Sequence, residues 1–296
     1  MKIQIATAPC SWGVFFPDGR TSCVPYETFL AQASEAGYQR IELGPDGYLP
    51  QQADILLKKL EQHRLSVCAG TATIPFGLAD REQCCRAVDA LAQRLTDLGC
   101  TDMVVMDDSA RGPGSGPKNQ WDQAQWEKIY DNILFTNDHL KAEFGVRMVF
   151  HPHAGTAIEY TEEIERLLSL GEVFLCFDTG HHALSNGGLE NGEQCVLDFI
   201  RRHSGRIVYL HFKNMDGAVR KRAEEENWGV LKAMMNRVMC DLEEGVIRFP
   251  ALRDLLTEID YNGTAVIEQD MFNATAGEAF ETAKRNLQYL QRIQMI

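Results

Sequence analysis

Residues 147–182 read RMVFHPHAGTAIEYTEEIERLLSLGEVFLCFDTGHH, and this stretch shows how the chain is built. It opens on a short apolar run at residues 147–150 and reaches a second run at residues 173–177. Between them, residues 161–170 carry apolar side chains at helical spacing and end at Gly171, a residue type that stops a helix at little cost. Two apolar runs joined by an amphipathic helix are typical of a β-α-β unit in a parallel sheet.

This alternation recurs along the chain. Apolar, β-branched runs predict strands at residues 3–8, 40–43, 66–69, 103–106, 147–150, 173–177, 207–211 and 265–268. Amphipathic patterns predict helices near residues 26–36, 52–63, 81–98, 123–144, 161–170, 193–203, 249–259 and 275–292. Several of these helices end at a glycine before the next strand, as at Gly37, Gly99 and Gly145, which supports the assignments.

Eight β/α rounds fit within 296 residues, and no Pro/Gly/Ser-rich linker divides them. We therefore predict the α/β class and a (β/α)8 TIM barrel that spans residues 1–296 as a single domain, in preference to a doubly wound sheet. Two segments exceed the repeat, residues 107–121 and an extra helical insertion after strand seven at residues 214–245. Both follow strands, on the face where barrel enzymes carry their active sites, and both are either lids or ordinary surface insertions.

The composition disfavours several functional classes. Lys and Arg total 29 against 42 Asp and Glu, and the net charge of −13 would repel phosphate backbones, so we expect no nucleic acid partner. No apolar stretch approaches the roughly 18 residues of a membrane span. Residues 1–6 alternate between apolar and polar side chains as a strand does, and they lack the apolar core of a signal peptide. Nine cysteines without a CxxC spacing suit a reducing compartment, so we predict a cytoplasmic protein.

Ionisable side chains gather at the predicted strand ends, which converge on one bowl in a barrel. They are Glu42 after strand two, Asp107 and Asp108 after strand four, His151 and His153 after strand five, Asp178, His181 and His182 after strand six, His211 and Lys213 after strand seven, and Glu268 and Asp270 after strand eight. Five of the eight histidines are among them. Histidines and carboxylates from four successive strands form a ligand set, so we predict a divalent metal.

Two imidazoles and two carboxylates make a donor set of intermediate hardness. On a six-coordinate ion they leave positions open for adjacent oxygens of a substrate. Mn²⁺ or Co²⁺ fits such a set best. Zn²⁺ is an alternative because imidazole suits it well, and Mg²⁺ ranks lower because it prefers oxygen ligands throughout.

Five motifs connect the chain to a known family. They are residues 8–13 (APCSWG), 151–156 (HPHAGT), 178–182 (DTGHH), 211–214 (HFKN) and 267–270 (IEQD). These motifs resemble the sugar isomerase/epimerase-like (xylose isomerase-like) TIM barrel superfamily, and the similarity runs from Ile5 to about Arg292. The His-x-His after strand five, followed by Gly-Thr, makes the inosose dehydratase branch the most similar part of that superfamily.

The resemblance implies that the metal ligands are His151, Asp178, His211 and Glu268. Epimerases of the superfamily usually have a glutamate at the position of His151, where it is one of two acid/base groups that exchange a proton across the substrate. With histidine there, Glu268 is the only such carboxylate left. The resemblance therefore implies a lyase, a dehydratase of a cyclic keto-polyol such as 2-keto-myo-inositol. The alternative is a metal-dependent isomerase or 3-epimerase of a ketose.

Three residues are predicted to be catalytic in a reaction that passes through a metal-stabilised enediolate. His181 is the predicted proton carrier, since imidazole titrates near neutral pH. Lys213 lies on the same side of strand seven as His211, where it would stabilise an enolate oxygen or act as an acid. A salt bridge from Lys213 to Asp178 or Glu268 is the alternative. Glu268 is the third, in addition to its role as a ligand.

Substrate binding is predicted for Trp12, Glu42 and His153, and for His181 as well. Trp12 either walls the pocket against a sugar ring or plugs the core at the barrel mouth. Glu42 either orients a substrate hydroxyl or supports a metal-bound histidine from behind. His153 lies on the same face as His151, so it is placed to reach the site. The alternative is that one of these two histidines only forms a hydrogen bond to the groups around the other.

The expected partner is a small unphosphorylated sugar or cyclitol. The glycine-rich residues 112–116 lack the Lys-Ser/Thr of a phosphate-binding P-loop. Metal-dependent DNA endonucleases share this barrel, but they need a basic groove, which the net charge of −13 disfavours. Two further alternatives are a barrel that binds a sugar without converting it and a chain that forms a homo-oligomer.

Overall fold

The computed structural model describes residues 1–15, 24–109, 121–188 and 190–296. The strands are β1 (Lys2–Thr7), β2 (Arg40–Glu42), β3 (Ser66–Ile74), β4 (Asp102–Asp107), β5 (Arg147–Phe150), β6 (Phe174–Asp178), β7 (Ile207–Phe212), β8 (Asn214–Met215), β9 (Met239–Cys240) and β10 (Asn262–Ile267). The α-helices are α1 (Tyr26–Ala36), α2 (Ala53–His63), α3 (Arg81–Asp97), α4 (Gln123–His139), α5 (Thr161–Leu170), α6 (Thr179–Asn186), α7 (Gly192–Arg202), α8 (Gly217–Glu225), α9 (Val230–Met235), α10 (Phe249–Glu258) and α11 (Ala276–Arg292). A 3₁₀ turn at Pro9–Trp12 follows β1, and a π-helical turn at Leu140–Phe144 continues α4.

Among the described residues, eight of the ten strands close into a parallel barrel. Around the barrel the order is β1, β10, β7, β6, β5, β4, β3 and β2. The β1–β10 pairing closes it, with six residue pairs from Lys2 opposite Asn262 to Thr7 opposite Ile267. Because all eight strands run in the same direction, their carboxyl ends meet at one mouth of the barrel.

The inside of the barrel is filled mainly by small side chains. This buried interior cluster consists of Ala6, Ala8, Cys68, Ala69, Val104, Val149, Cys176, Val266 and one large side chain, Tyr209. The helices pack on the outside, as α5 does through the buried Ile164 and Leu167, and each such side chain stabilises the fold by about 1.5–3 kcal/mol. Within the described ranges, none of the helices combines the length and the apolar composition that a bilayer crossing requires.

The (β/α)8 barrel predicted from the sequence is confirmed. The bounds of α1 and α5 agree with the predicted helices at residues 26–36 and 161–170. Strand β3 is longer than predicted, because its residues from Gly70 to Ile74 pair with Met103 to Asp107 of β4. Helix α6 was not predicted. It begins directly after β6, where the Asp178 carboxylate accepts a 2.8 Å hydrogen bond from the backbone N–H of His181 and caps the helix.

The helical insertion predicted after strand seven is present and contains α8, α9 and a small antiparallel sheet of β8 and β9. The Asn214 side chain anchors it by donating to the carbonyl oxygens of Leu242 at 2.7 Å and Ile247 at 2.8 Å. A Cβ at residue 245 would lie 2.2 Å from Asn214 Cγ, so this close approach requires Gly245. In the other predicted insertion, at residues 107–121, residues 110–120 lie outside the described part of the chain.

Candidate functional site

The four predicted metal ligands lie together at the mouth of the barrel. Asp178 and His211 are direct partners in the β6–β7 pairing. The backbone N–H of Glu268 donates to the carbonyl oxygen of Phe212, which places Glu268 level with the end of β7. His151 directly follows β5, and none of the four is more than 6% exposed. The fold thus gathers these side chains into one buried cluster, and their assignment as ligands stays a prediction.

The ring of His211 lies between carboxylates on both sides. Its Nε2 is 3.1 Å from Glu42 Oε1, and the hydroxyl of Tyr209 donates to the same oxygen at 2.8 Å. Its Nδ1 is 3.1 Å from Glu268 Oε2 and 3.8 Å from Asp178 Oδ2.

Burial alone would lower the pKa of His211, but Cys176, Glu268 and Glu42 raise it well above its ordinary value. When Nε2–H donates to Glu42, loss of the Nδ1 proton leaves a lone pair that faces the cluster. These contacts agree with the alternative in which Glu42 supports a metal-binding histidine from behind. A role for Glu42 in binding substrate stays a prediction.

Lys213 lies at the centre of the cluster. Its Nζ is 3.2 Å from Asp178 Oδ2, 3.0 Å from Glu268 Oε2 and 3.2 Å from Asp270 Oδ2. It is also 3.0 Å from His181 Nε2. Burial alone would lower the pKa of Lys213, but the three carboxylates raise it well above its ordinary value. The alternative salt bridge is therefore present, and the ammonium form of Lys213 is a proton donor next to an imidazole.

Asp270 also belongs to the cluster, although no role was predicted for it. It is buried and pairs with Lys213, and its Oδ2 is 3.9 Å from His181 Nε2. A signal was available, because Asp270 is two residues after Glu268 and alternation places such residues on one side of an extended chain. The same spacing relates Tyr209 to His211, whose supporting carboxylate Tyr209 binds.

Three histidine rings form the other wall of the cluster. The ring centroids of His153 and His181 are 4.0 Å apart, and the ring of His151 is 5.4 Å from His153 and 5.7 Å from His181. Burial lowers the pKa of His151 and of His181 well below the ordinary value, and lowers that of His153 to about 4. The neutral imidazole is the form that binds a cation or accepts a proton.

The two acidic residues of the predicted ligand set differ in the balance between burial and neighbouring charge. Burial raises the pKa of Asp178, and Lys213 and His211 only partly oppose this shift. Burial acts on Glu268 in the same direction, but His211 and Lys213 hold the pKa of that carboxyl well below its usual range. Both shifts follow from packing acidic and basic groups in one volume that excludes water.

The predicted ligands fit a cation. Among the described residues, Asp178 Oδ2 and His211 Nδ1 have charged neighbours, Lys213 Nζ at 3.2 Å and Glu268 Oε2 at 3.1 Å, whereas His151 Nδ1 is buried without a hydrogen-bond partner. Leaving such an atom unpaired costs about 1–3 kcal/mol, which a bound cation would offset. The cluster also has an excess of acidic groups, since Glu42, Asp178, Glu268 and Asp270 surround one lysine and one histidine. A divalent ion would balance that excess.

Potential ligand atoms form three close sets among the described residues, each with its members within 4.8 Å of one another. The sets are His151, His153 and His181; His151, Cys176 and His211; and Glu42, His211 and Glu268. His151 and His211 each belong to two sets. Asp178 connects to them through its 3.8 Å separation from His211 Nδ1. Cys176 is a member that sequence reasoning missed, because it lies inside a strand and not at its end.

Trp12 packs away from this cluster. It is fully buried, its indole N–H donates to Gln32 Oε1 at 2.8 Å, and its ring meets Phe29 edge-on at 4.9 Å. These contacts agree with the alternative in which Trp12 fills the core at the barrel mouth. A role for Trp12 in substrate binding stays a prediction. Asp107 likewise serves the fold, since its carboxylate accepts from the backbone N–H groups of Phe76 at 3.2 Å and Ala157 at 3.0 Å.

A groove of about 550 Å³ lies elsewhere, on the outside of the barrel between α4 and α5. Its lining includes Trp126, Tyr130 and Arg166, and it contains none of the predicted site residues. The buried cluster is therefore distinguished by the chemistry of its side chains and not by the size of a cavity.

Comparison with known proteins agrees with this picture. The family model described as xylose isomerase-like TIM barrel matches residues 30–293. The chain is 27% identical to an inosose dehydratase of Geobacillus kaustophilus, over 98% of this chain and 94% of that protein. It is 31% identical to the rhizopine catabolism protein MocC of Rhizobium meliloti, over 91% of this chain and 82% of that protein.

A solved structure supports the fold. The IolI protein, crystallised with a bound zinc atom, superposes with a TM-score of 0.70 at 16% identity, covering 99% of this chain and 98% of that one. At this identity the likeness shows the barrel architecture alone. The zinc atom is a property of that protein.

Proposed function

Because the chain belongs to the xylose isomerase-like TIM barrel family, we propose that it is a metal-dependent dehydratase of a cyclic keto-polyol such as 2-keto-myo-inositol. The relatives named inosose dehydratase support this class of reaction. The single observation that carries the proposal is the 3.0 Å contact between Lys213 Nζ and His181 Nε2, a proton donor beside a proton acceptor within the predicted ligand cluster. Dehydration needs both a proton acceptor and a proton donor in contact with the same substrate molecule.

His151, Asp178, His211 and Glu268 would hold the ion, with the most suitable ions being Mn²⁺ or Co²⁺. When bound, the ion would polarise the ketone and the adjacent hydroxyl of the substrate and so acidify the carbon between them. Glu42 keeps the Nδ1 lone pair of His211 directed at the cluster through its contact with Nε2.

His181 begins the reaction by accepting the proton from the carbon next to the ketone. The electron pair of that C–H bond forms the carbon–carbon double bond of an enediolate. As the C–O bond to the β-hydroxyl breaks, Lys213 gives that hydroxyl a proton and it leaves as water. The resulting enol rearranges to a diketone. General acid/base catalysis of this kind typically contributes about 10²- to 10⁴-fold in rate.

The contact between the two catalytic groups also resets them. After one turnover His181 holds an extra proton and Lys213 lacks one. Their nitrogens are 3.0 Å apart, so the proton passes directly from Nε2 to Nζ and both groups return to their starting forms. Asp178, Glu268 and Asp270 favour this return because they stabilise the ammonium.

The test is a substrate panel with the purified chain, with and without added Mn²⁺ or Co²⁺. Keto-inositol should give the conjugated enol of a diketone, which absorbs in the ultraviolet, and a chelator should abolish the signal. If keto-inositol is unchanged while a ketose in the panel becomes its C3 epimer, the dehydratase proposal is wrong and the isomerase/epimerase alternative replaces it.

A further inference from the structure

Cys176 lies one layer beneath the carboxylates of the cluster. It is two residues before Asp178 on β6, so both side chains point to the inside of the barrel. Its Sγ lies within 4.8 Å of a ring nitrogen of His151 and of a ring nitrogen of His211. All three side chains are at least 97% buried. The mechanism proposed above gives this thiol no role.

The other cysteine of the interior cluster differs in its contacts. Cys68 donates to the carbonyl oxygen of Ile41 at 3.2 Å and lies 3.3 Å from the hydroxyl of Tyr209. Cys68 is in none of the three sets of potential ligand atoms among the described residues. Of these two buried members of the interior cluster, Cys176 is the one whose sulfur lies near imidazole nitrogens in the part of the chain that the structure describes.

We infer that soft divalent ions, Zn²⁺ and Cd²⁺, bind this chain through His151, Cys176 and His211. The fourth ligand is a carboxylate, since His211 Nδ1 is 3.1 Å from Glu268 Oε2 and 3.8 Å from Asp178 Oδ2. His151 Nδ1 is buried without a hydrogen-bond partner and so has a free atom to offer, whereas His211 Nδ1 would exchange its 3.1 Å contact with Glu268 Oε2 for the ion. The thiol loses its proton to solvent when the ion binds.

Coordination chemistry favours this mode for soft ions and disfavours it for Mn²⁺. Metal–ligand distances of about 2.0–2.3 Å place tetrahedral donor atoms about 3.5 Å apart, so the three groups need only small adjustments to meet one ion. Thiolate selects Zn²⁺ and similar soft ions, whereas Mn²⁺ prefers oxygen-rich shells with more ligands. The chain therefore has two coordination modes that share His151 and His211.

The sulfur mode has a consequence for activity, and this part rests on the proposed function. Four protein ligands close the coordination shell of a tetrahedral ion, whereas a catalytic ion keeps a position open for substrate. Zn²⁺ and Cd²⁺ should therefore inhibit the reaction that Mn²⁺ supports. Replacing Cys176 should relieve that inhibition.

The test is a Cd²⁺ titration of the full chain after chelator treatment, followed by the ultraviolet charge-transfer absorption of a cadmium–thiolate bond. The wild type and the matched control Cys68→Ser should both show the band, and Cys176→Ser should lack it. Loss of a direct ligand should weaken Cd²⁺ binding by at least the roughly 10- to 100-fold that loss of an outer partner costs. Mn²⁺ binding to Cys176→Ser, followed by electron paramagnetic resonance, should match the wild type.

A wild type without the band, a band that persists in Cys176→Ser, or a band lost in Cys68→Ser would each overturn the inference. Should Cys176→Ser fail to fold, X-ray absorption of the zinc-loaded wild type decides, with one sulfur neighbour expected and a shell of nitrogen and oxygen alone overturning it. Mn²⁺-dependent dehydration is measured separately. A cadmium–thiolate band without dehydration would refute the proposed function and leave the sulfur site standing.

Discussion

Glu42 Oε1 lies 3.1 Å from His211 Nε2, whereas the other ring nitrogen, Nδ1, faces Glu268 and Asp178. A carboxylate in this place holds the ring in one orientation and makes its other nitrogen a better donor. Tyr209 donates to the same carboxylate oxygen at 2.8 Å, so three side chains form one buried chain of contacts. The predicted ligand strength of His211 thus depends on two residues that need not touch the ion.

Tyr209→Phe should lower the affinity for Mn²⁺ by about 10- to 100-fold, the usual effect of losing an outer hydrogen-bond partner. The matched control is Tyr261→Phe, because the Tyr261 hydroxyl is also buried and donates to the carbonyl oxygen of Thr264 at 2.8 Å. The control should lose stability but bind Mn²⁺ as the wild type does. Equal Mn²⁺ affinity in wild type and Tyr209→Phe would refute the supporting role.

Asp178→Asn should abolish both metal binding and activity, because it removes a charge that the ion requires. The amide oxygen still accepts the N–H of His181, so the start of α6 stays capped. Asp178→Ala loses that cap as well, at a cost of about 1 kcal/mol. Metal analysis and thermal unfolding of both variants separate the two effects. Wild-type Mn²⁺ occupancy in Asp178→Asn would remove Asp178 from the ligand set.

His181→Gln should keep the metal and lose about 10²- to 10⁴-fold in turnover, because the proposal assigns His181 to proton transfer. The control is the neighbouring residue, His182, whose ring packs against Phe177 at 4.8 Å and Phe199 at 4.7 Å. His182→Phe should keep its turnover. If His181→Gln loses Mn²⁺ in parallel with activity, His181 is a ligand and the mechanism needs a different base.

His182 also makes stability depend on pH. Burial lowers its pKa from 6.5 to about 3, with the nearby His203 contributing. The unfolded chain therefore binds this proton at a higher pH than the folded chain does. The contribution of His182 is fully present above pH 6.5 and is lost as the pH falls from 6.5 toward 3.

The measurement compares the pH dependence of the unfolding free energy in wild type and in His182→Phe, both with chelator present. Between pH 6 and pH 4 the wild type should lose stability more steeply, by up to about 1.4 kcal/mol per pH unit. Parallel curves would show that His182 does not titrate as its buried environment requires.

The fold was predictable because local patterns repeat. The apolar periodicity at residues 26–36 and 161–170 determines α1 and α5 without reference to the rest of the chain. Features that depend on distant partners were missed. The end of β3 is set by pairing with β4, and the two-stranded sheet of β8 and β9 joins segments from opposite ends of an insertion.

The part of the candidate site that lies at the strand ends was predictable, because these ends converge at one mouth of the barrel. His151, Asp178, His211 and Glu268 end neighbouring strands, so the barrel topology brings them together. Partners from inside the barrel were not predictable in this way. Tyr209 reaches Glu42 across the interior, a contact between residues 167 positions apart that no local pattern encodes.

Incubation of 2-keto-myo-inositol with the Mn²⁺-loaded chain in D₂O, followed by mass spectrometry, tests the central claim most directly. The proposed reaction predicts a product that has lost one water, formed by the wild type and not by Asp178→Asn. An isomerase or epimerase would instead return a solvent deuteron to carbon. Recovery of the sugar with one deuterium gained and no water lost would contradict the account.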